Sequence, residues 1–224
     1  MLRSIAYVVS VIFHPLLILT YMLILLLLIN PYLFGVSDIS EPSSKLLVLR
    51  IFLSSFFIPF FSISMLRFLG MIESMEMKDK QERIGPYIIT GLFYTWIFWN
   101  AFNSQQIPTA YAMFVLGSVI GLFLAFIINI FTKISAHAVG MGGLVGMVLI
   151  TMFMFSYVTD SFTINFWVIG AVQMNMTMLL MVVLILAGLV GSSRLILKAH
   201  EPADLYGGYL VGLFSQLIAL RFLF

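Results

Sequence analysis

From Tyr87 to Thr132 the chain carries no charged residue and no histidine. A helix needs about 20 apolar residues to cross a bilayer, so this run is too long for one crossing. The cluster Asn103-Ser104-Gln105-Gln106-Ile107-Pro108 divides it into two spans, Tyr87 to about Ala101 and Thr109 to Thr132. Composition extends that reading to the whole chain. With 62% hydrophobic and 9% charged residues and a mean hydropathy of +1.13, the expected fold is all-α: a polytopic membrane helix bundle of about six to seven transmembrane helices. Residues 1–224 form a single membrane domain.

The other expected spans run from Ile5 to about Phe34, Leu46 to Gly70, Ala138 to Tyr157, Phe162 to about Gly191, and Leu205 to Phe224. The first is interrupted by His14-Pro15, where proline can bend a membrane helix and free a carbonyl. His14 reads first as a histidine bonded to a neighbouring helix, and Gln173 and Asn175 as interhelical hydrogen bonders. Gly140, Gly142, Gly143 and Gly146, like Gly207, Gly208 and Gly212, suit close helix packing; Gly140 also suits a close approach of backbone to a ligand. The first apolar run lacks a small-residue cleavage pattern, so no cleavable signal is expected.

Several chemistries are disfavoured. The absence of cysteine removes disulfides and thiol nucleophiles, and three well-separated histidines without a HExxH spacing make a metal site unexpected. Eleven basic residues, scattered along a chain of net charge +2, do not make a nucleic-acid surface. No cofactor is implied.

Charge collects in three islands, Met71–Pro86, Lys133–His137 and Ser193–Asp204. Two expected crossings separate each island from the next, and an even number returns the chain to the same side. All three islands therefore face one leaflet and can converge. The opposite connectors, around Asp38, Gln105 and Asp160, contain no histidine.

The last island holds Arg194, Lys198, His200 and Asp204 within about a dozen residues, and ionisable groups near hydrocarbon tend to mark function. An imidazole becomes a usable nucleophile when a carboxylate holds its other ring nitrogen, and Asp204 is placed to do this for His200. Pro202 suits the first position of a helix capped by Glu201, which puts His200 just outside it and Asp204 in its first turn. Arg194 and Lys198 supply positive charge suited to a phosphoryl group. The plainer alternative is a loop whose basic residues anchor at lipid headgroups.

Taken together, the islands resemble the type 2 phosphatidic acid phosphatase superfamily, membrane phosphatases related to the vanadium haloperoxidases. That family's third motif is matched in full by Ser193, Arg194, five residues, His200, three residues and Asp204. Its second is matched in part, because Ile134-Ser135-Ala136-His137 keeps serine and histidine but not the proline and glycine. The first keeps Lys78 and, after six residues, Gly85-Pro86, with glycine where the family has arginine; Arg83 stands two residues earlier. The resemblance covers a core of about 71–212, preceded by two helices over about 5–70.

The resemblance implies an enzyme with a defined set of roles. His200 attacks phosphorus and becomes a phosphohistidine, with Asp204 orienting its ring. His137 protonates the leaving oxygen and then activates water. Lys78, Arg83, Ser135 and Arg194 hold the phosphoryl oxygens, with Lys80, Lys133 and Lys198 as alternates for the cationic cradle. No metal is implied. The expected activity is hydrolysis of a monoester, or of the terminal phosphate of a pyrophosphate, on a membrane lipid. Phosphatidic acid, phosphatidylglycerophosphate, undecaprenyl pyrophosphate and a lipid A phosphate are the candidate substrate classes. A catalytically weakened headgroup-binding protein, a lipid phosphotransferase and a small transporter are the alternatives. The short loops suit a bacterial inner membrane. The basic-residue bias favours a cytoplasmic site, whereas the resemblance favours an outward one.

Overall fold

A computed structural model describes residues 1–75, 77, 79–155, 161–166 and 170–224. The chain is a polytopic helix bundle in which six helical stretches are long and apolar enough to cross a membrane. Two of them are composite. Helices α1 (Leu2–Ile12) and α2 (Ile18–Ile29) make the first, and α3 (Pro42–Phe52) and α4 (Ile58–Phe68), joined by the π-helical turn Leu53–Phe57, make the second. Then come α6 (Thr109–Phe131), α7 (Ala136–Ile150, prolonged by a π turn to Phe155), α8 (Met176–Ile196) and α9 (Pro202–Leu223). Helix α5 (Ile84–Phe102) is the seventh rod and packs on α6; its tyrosines, tryptophans, threonines and Asn100 make it less apolar than the rest.

The break between α1 and α2 follows from Pro15. Proline has no N–H to give to Val11, and its ring is incompatible with an unbroken helix. The preceding residue is pushed to extended backbone, and His14 adopts φ −63°, ψ 138°. The hydrogen-bond ladder slips with it. Phe13 donates to the Val9 carbonyl at 3.0 Å, but the His14 amide turns to Val11 at 3.3 Å. Ser10 is thereby deprived of its helical donor. The carbonyls around the break find partners from elsewhere in the bundle: Ile12 accepts from the Tyr21 hydroxyl at 2.7 Å and Pro15 from that of Tyr94 at 3.4 Å.

One expected span is corrected. The stretch beginning at Phe162 is not helical at first; strands β1 (Ser161–Phe166) and β2 (Gly170–Asn175) pair antiparallel, with Ser161 opposite Asn175. The sequence of β1 alternates Phe162, Ile164 and Phe166 with polar residues, the period of a strand, and Phe162 is buried. Gly170 takes a left-handed φ of 80° at the start of β2. The crossing therefore begins at Met176. Gln173 and Asn175 are not interhelical bonders: the Gln173 amide donates to the Ser161 hydroxyl across the hairpin at 3.0 Å, and Asn175 caps α8 by accepting from the Met178 amide at 2.8 Å. The expected connector at Asp160 and the span end at Tyr157 fall outside the described residues.

Helices α7 and α9 form the tightest contact in the bundle, and small residues make it possible. A Cβ on Gly208 would lie 2.9 Å from the Ser135 carbonyl oxygen, and one on Gly212 would run into the Val139 carbonyl and lie 2.6 Å from the Gly143 amide nitrogen. These neighbours are backbone and cannot move aside. Gly207 takes no part in this contact, since a Cβ there would meet nothing within 4 Å. Gly140 packs against the N-terminal kink, where its Cβ would come within 2.9 Å of Ile18. Around this seam the fully buried Leu19, Met22, Leu23, Tyr111, Phe114 and Met147 fill the interior.

Candidate active site

The N-terminus of α9 has the geometry expected from its sequence. Glu201 is the N-cap, Pro202 the first helical residue, and Asp204 lies in the first turn. The Asp204 carboxylate oxygen Oδ2 accepts from the Glu201 amide at 3.2 Å and lies 3.1 Å from His200 Nδ1. A carboxylate facing Nδ1 keeps the ring proton there and leaves Nε2 with its lone pair. The loop that presents His200 is set by the end of α8. Lys198 adopts a left-handed φ of 55°, and Ala199 donates to the Arg194 carbonyl at 3.0 Å, closing a Schellman-type turn.

The second island is tied directly to the third. Ser135 is the N-cap of α7; its hydroxyl accepts from the Ala138 amide at 3.4 Å, and its own amide donates to the Asp204 carbonyl at 3.3 Å. Ser135 is fully buried. A hydroxyl that accepts still has its hydrogen to donate. His137 follows in the first turn of α7. Its Nε2 lies 3.0 Å from the Ser10 carbonyl, the same group that the Pro15 break deprived of its helical donor.

Arg83 links the first island to the second. It sits at the end of a short 3-10 turn (Gln81–Arg83) that leads into α5, and donates from Nε to Met77 O at 3.0 Å and from Nη1 to Ile134 O at 3.1 Å. Two of its five N–H groups are thus committed to the backbone, and its charge acts on both His200 and Asp204. Arg194, in the last turn of α8, places a second positive charge near His200 and His137. The structure thus brings together Arg83, Ser135, His137, Arg194, His200 and Asp204. Lys78 lies outside the described residues.

The alternate lysines are accounted for in part. Lys80 Nζ donates to the carbonyls of Ile130 and Phe131 at 3.0 and 3.3 Å, neutralising the negative end of α6. Asn129 reinforces this dock by donating to the Lys80 carbonyl at 2.9 Å. Lys198 is exposed, and its left-handed backbone is its visible contribution.

His14 belongs to this group, although nothing in the family pattern points to it. Its ring meets that of His137 edge to face, with centroids 5.6 Å apart and planes at 78°. The sequence signal was its isolation as an ionisable group in the first apolar run, beside a helix-breaking proline.

The electrostatics favour a neutral nucleophile. Burial holds the pKa of His200 down from its ordinary 6.5 to about 4, opposed by the Asp204 hydrogen bond and assisted by the charges of Arg83 and Arg194. Beneath the site, a cavity of about 70 Å³ lies among α2, α5, α6, α7 and α9, with Ala136 in its wall. That is well below the roughly 300–1,000 Å³ of a small-molecule pocket.

Comparisons with family models, curated proteins and solved structures give no match to this chain.

Proposed function

We propose that this protein is a phosphatase acting on a membrane lipid, removing a phosphate monoester or the terminal phosphate of a pyrophosphate through a phosphohistidine. The observation that carries the reading is His200 Nδ1 held 3.1 Å from Asp204 Oδ2, beside two guanidinium groups and a second histidine at one end of the bundle. His200 Nε2 is the nucleophile, with Asp204 stabilising the positive charge its ring acquires as the bond to phosphorus forms. Arg83, Arg194 and Lys78 neutralise the phosphoryl oxygens, which is most of what phosphoryl transfer requires of a protein. Ser135 and the amides at the start of α7 add donors. His137 serves the leaving oxygen first and the attacking water second.

The location of the site supports a lipid substrate. Its groups lie together at one end of the helices, where α5, α7 and α9 begin and α8 ends, which is where a lipid headgroup would meet a membrane bundle. The substrate classes remain the four named above, and the setting proposed is a bacterial inner membrane. A phosphotransferase is the same chemistry with a lipid acceptor in place of water.

A non-catalytic headgroup-binding protein is the second reading. Its support is that His137 Nε2 and the Ser135 hydroxyl already have structural partners. Phosphate release from the four lipid classes by the purified protein, with and without vanadate, distinguishes the two. Vanadate-sensitive release that disappears in His200→Ala is expected. Headgroup binding without release from any of the four defeats the enzymatic reading.

A further inference from the structure

The chain has three histidines, and the reading above uses two. His14 and His137 have tautomers that can be read from their partners. The Leu16 amide donates to His14 Nδ1 at 3.3 Å, so that nitrogen bears a lone pair and the neutral ring carries its proton on Nε2. The Ser10 carbonyl can only accept, so His137 Nε2, 3.0 Å away, carries that ring's proton. His137 Nδ1 is then the nitrogen left to exchange a proton with anything else.

We propose that the kinked N-terminal helix completes the site: the Ser10 carbonyl fixes the proton of His137 on Nε2, His14 holds that ring against flipping, and Nδ1 is the atom that exchanges protons with substrate. Turning the His137 ring over about its Cβ–Cγ bond would exchange Nδ1 with Cδ2 and Nε2 with Cε1, taking the N–H away from the Ser10 carbonyl. The Ser10 carbonyl and the His14 ring, on neighbouring parts of the same break, stand against that rotation. His14 is a positioning residue in this arrangement. Pro15 is the origin of the device, because an unbroken helix would have used the Ser10 carbonyl internally.

The substrate side of this inference rests on the phosphatase reading. In the first half-reaction a phosphate monoanion gives its proton to the lone pair of His137 Nδ1, the bond between phosphorus and the leaving oxygen breaks as His200 Nε2 bonds to phosphorus, and Nδ1 passes that proton to the leaving oxygen. In the second, water oxygen bonds to phosphorus, its proton passes to His137 Nδ1, and the nitrogen–phosphorus bond breaks to free phosphate, which takes that proton from Nδ1 as it leaves and returns the ring to its neutral form. The other proton stays on Nε2, donated to the Ser10 carbonyl, throughout.

The test does not require activity. With only three histidines in the chain, ¹⁵N-histidine labelling of the full-length protein in bilayers gives three imidazole pairs, each assigned by the variant that removes it (His14→Phe, His137→Gln, His200→Gln). Near neutral pH, His137 is expected as the Nε2–H tautomer and His200 as the Nδ1–H tautomer. An Nδ1–H signal for His137 overturns the inference. His14→Ala should give a mixture of His137 tautomers, and His14→Phe, which keeps a ring in place, should restore one. An unchanged single tautomer in His14→Ala refutes the positioning role, as does failure of His14→Phe to restore it; should His14→Ala not fold, His14→Phe still decides by keeping or losing the single tautomer. Where phosphate release is measurable, His14→Ala should lower kcat by roughly 10²-fold, the scale of an ångström-sized misplacement, with KM little changed. Correct tautomers without any release would leave this arrangement intact and sink the phosphatase reading instead.

Discussion

Replacing Asp204 with asparagine isolates one charge with little change in shape. The carboxylate oxygen bonded to both the Glu201 amide and His200 is exchanged for an amide, while the backbone carbonyl that receives the Ser135 amide is untouched. A hydrogen bond to an ionised group is worth about 1.5–3 kcal/mol and a neutral one about 0.5–1.5, so the fold should lose about 1–2 kcal/mol and survive. The reaction should suffer more. As His200 Nε2 bonds to phosphorus its ring becomes cationic, and a full charge pair 3.1 Å apart contributes at most about 5 kcal/mol at an effective dielectric of about 20. Between that ceiling and the loss of one charge-assisted bond, the rate of phosphohistidine formation should fall between about tenfold and several thousandfold. Rapid-quench measurement of the phosphoenzyme, alongside thermal unfolding of the same preparation, reads both effects. A folded Asp204→Asn protein forming phosphoenzyme within twofold of the unsubstituted rate would refute the role given to the carboxylate.

Two further outcomes follow from the site. The lowered pKa of His200 keeps the nucleophile neutral through mild acid, so phosphoenzyme formation should hold its plateau below pH 6.5 and fail only toward pH 4. The folded state takes up this proton at lower pH than the unfolded chain, so stability declines as pH drops from 6.5 toward 4 and this group's contribution levels off below that. An acid limb centred at 6.5 would contradict the desolvated environment. Lys198→Gly should stabilise the protein by about 0.5–1 kcal/mol, the ~1–2 kcal/mol of relieved left-handed backbone less the greater freedom of glycine when unfolded. If phosphate release also falls tenfold, the Lys198 ammonium belongs to the anion cradle; an unchanged rate confines it to the turn.

The start of α9 is legible in the sequence because its determinants are local: Pro202 needs no amide donor, Glu201 precedes it, and Asp204 follows at the spacing that returns a carboxylate to His200. The meeting of the three islands is legible through parity alone. It survives the misplaced start of α8, because adding a hairpin at one end of a crossing does not change the number of crossings. The hairpin itself is hidden by hydropathy. Phe162, Ile164 and Val172 are as apolar as any membrane helix, and the period-two alternation of β1 is only a few residues long. His14 is hidden for a different reason. Its neighbour His137 is far away along the chain, and the group that links the N-terminal helix to His137 is a backbone carbonyl, which no residue letter announces.

The backbone tie between Ser135 and Asp204, with the Arg83 latch on Ile134, has a consequence for a protein that must work in bilayers of differing thickness. Hydrophobic mismatch is accommodated by tilting or bending helices, and a bundle tilts most easily at its looser end. Here α5, α7 and α9 are riveted to one another where the candidate site lies, while α7 and α8 are joined at their far ends through a two-stranded hairpin. Thinner or thicker membranes should therefore be absorbed as splaying around the hairpin, leaving the spacing between the imidazoles and the guanidinium groups almost unaltered.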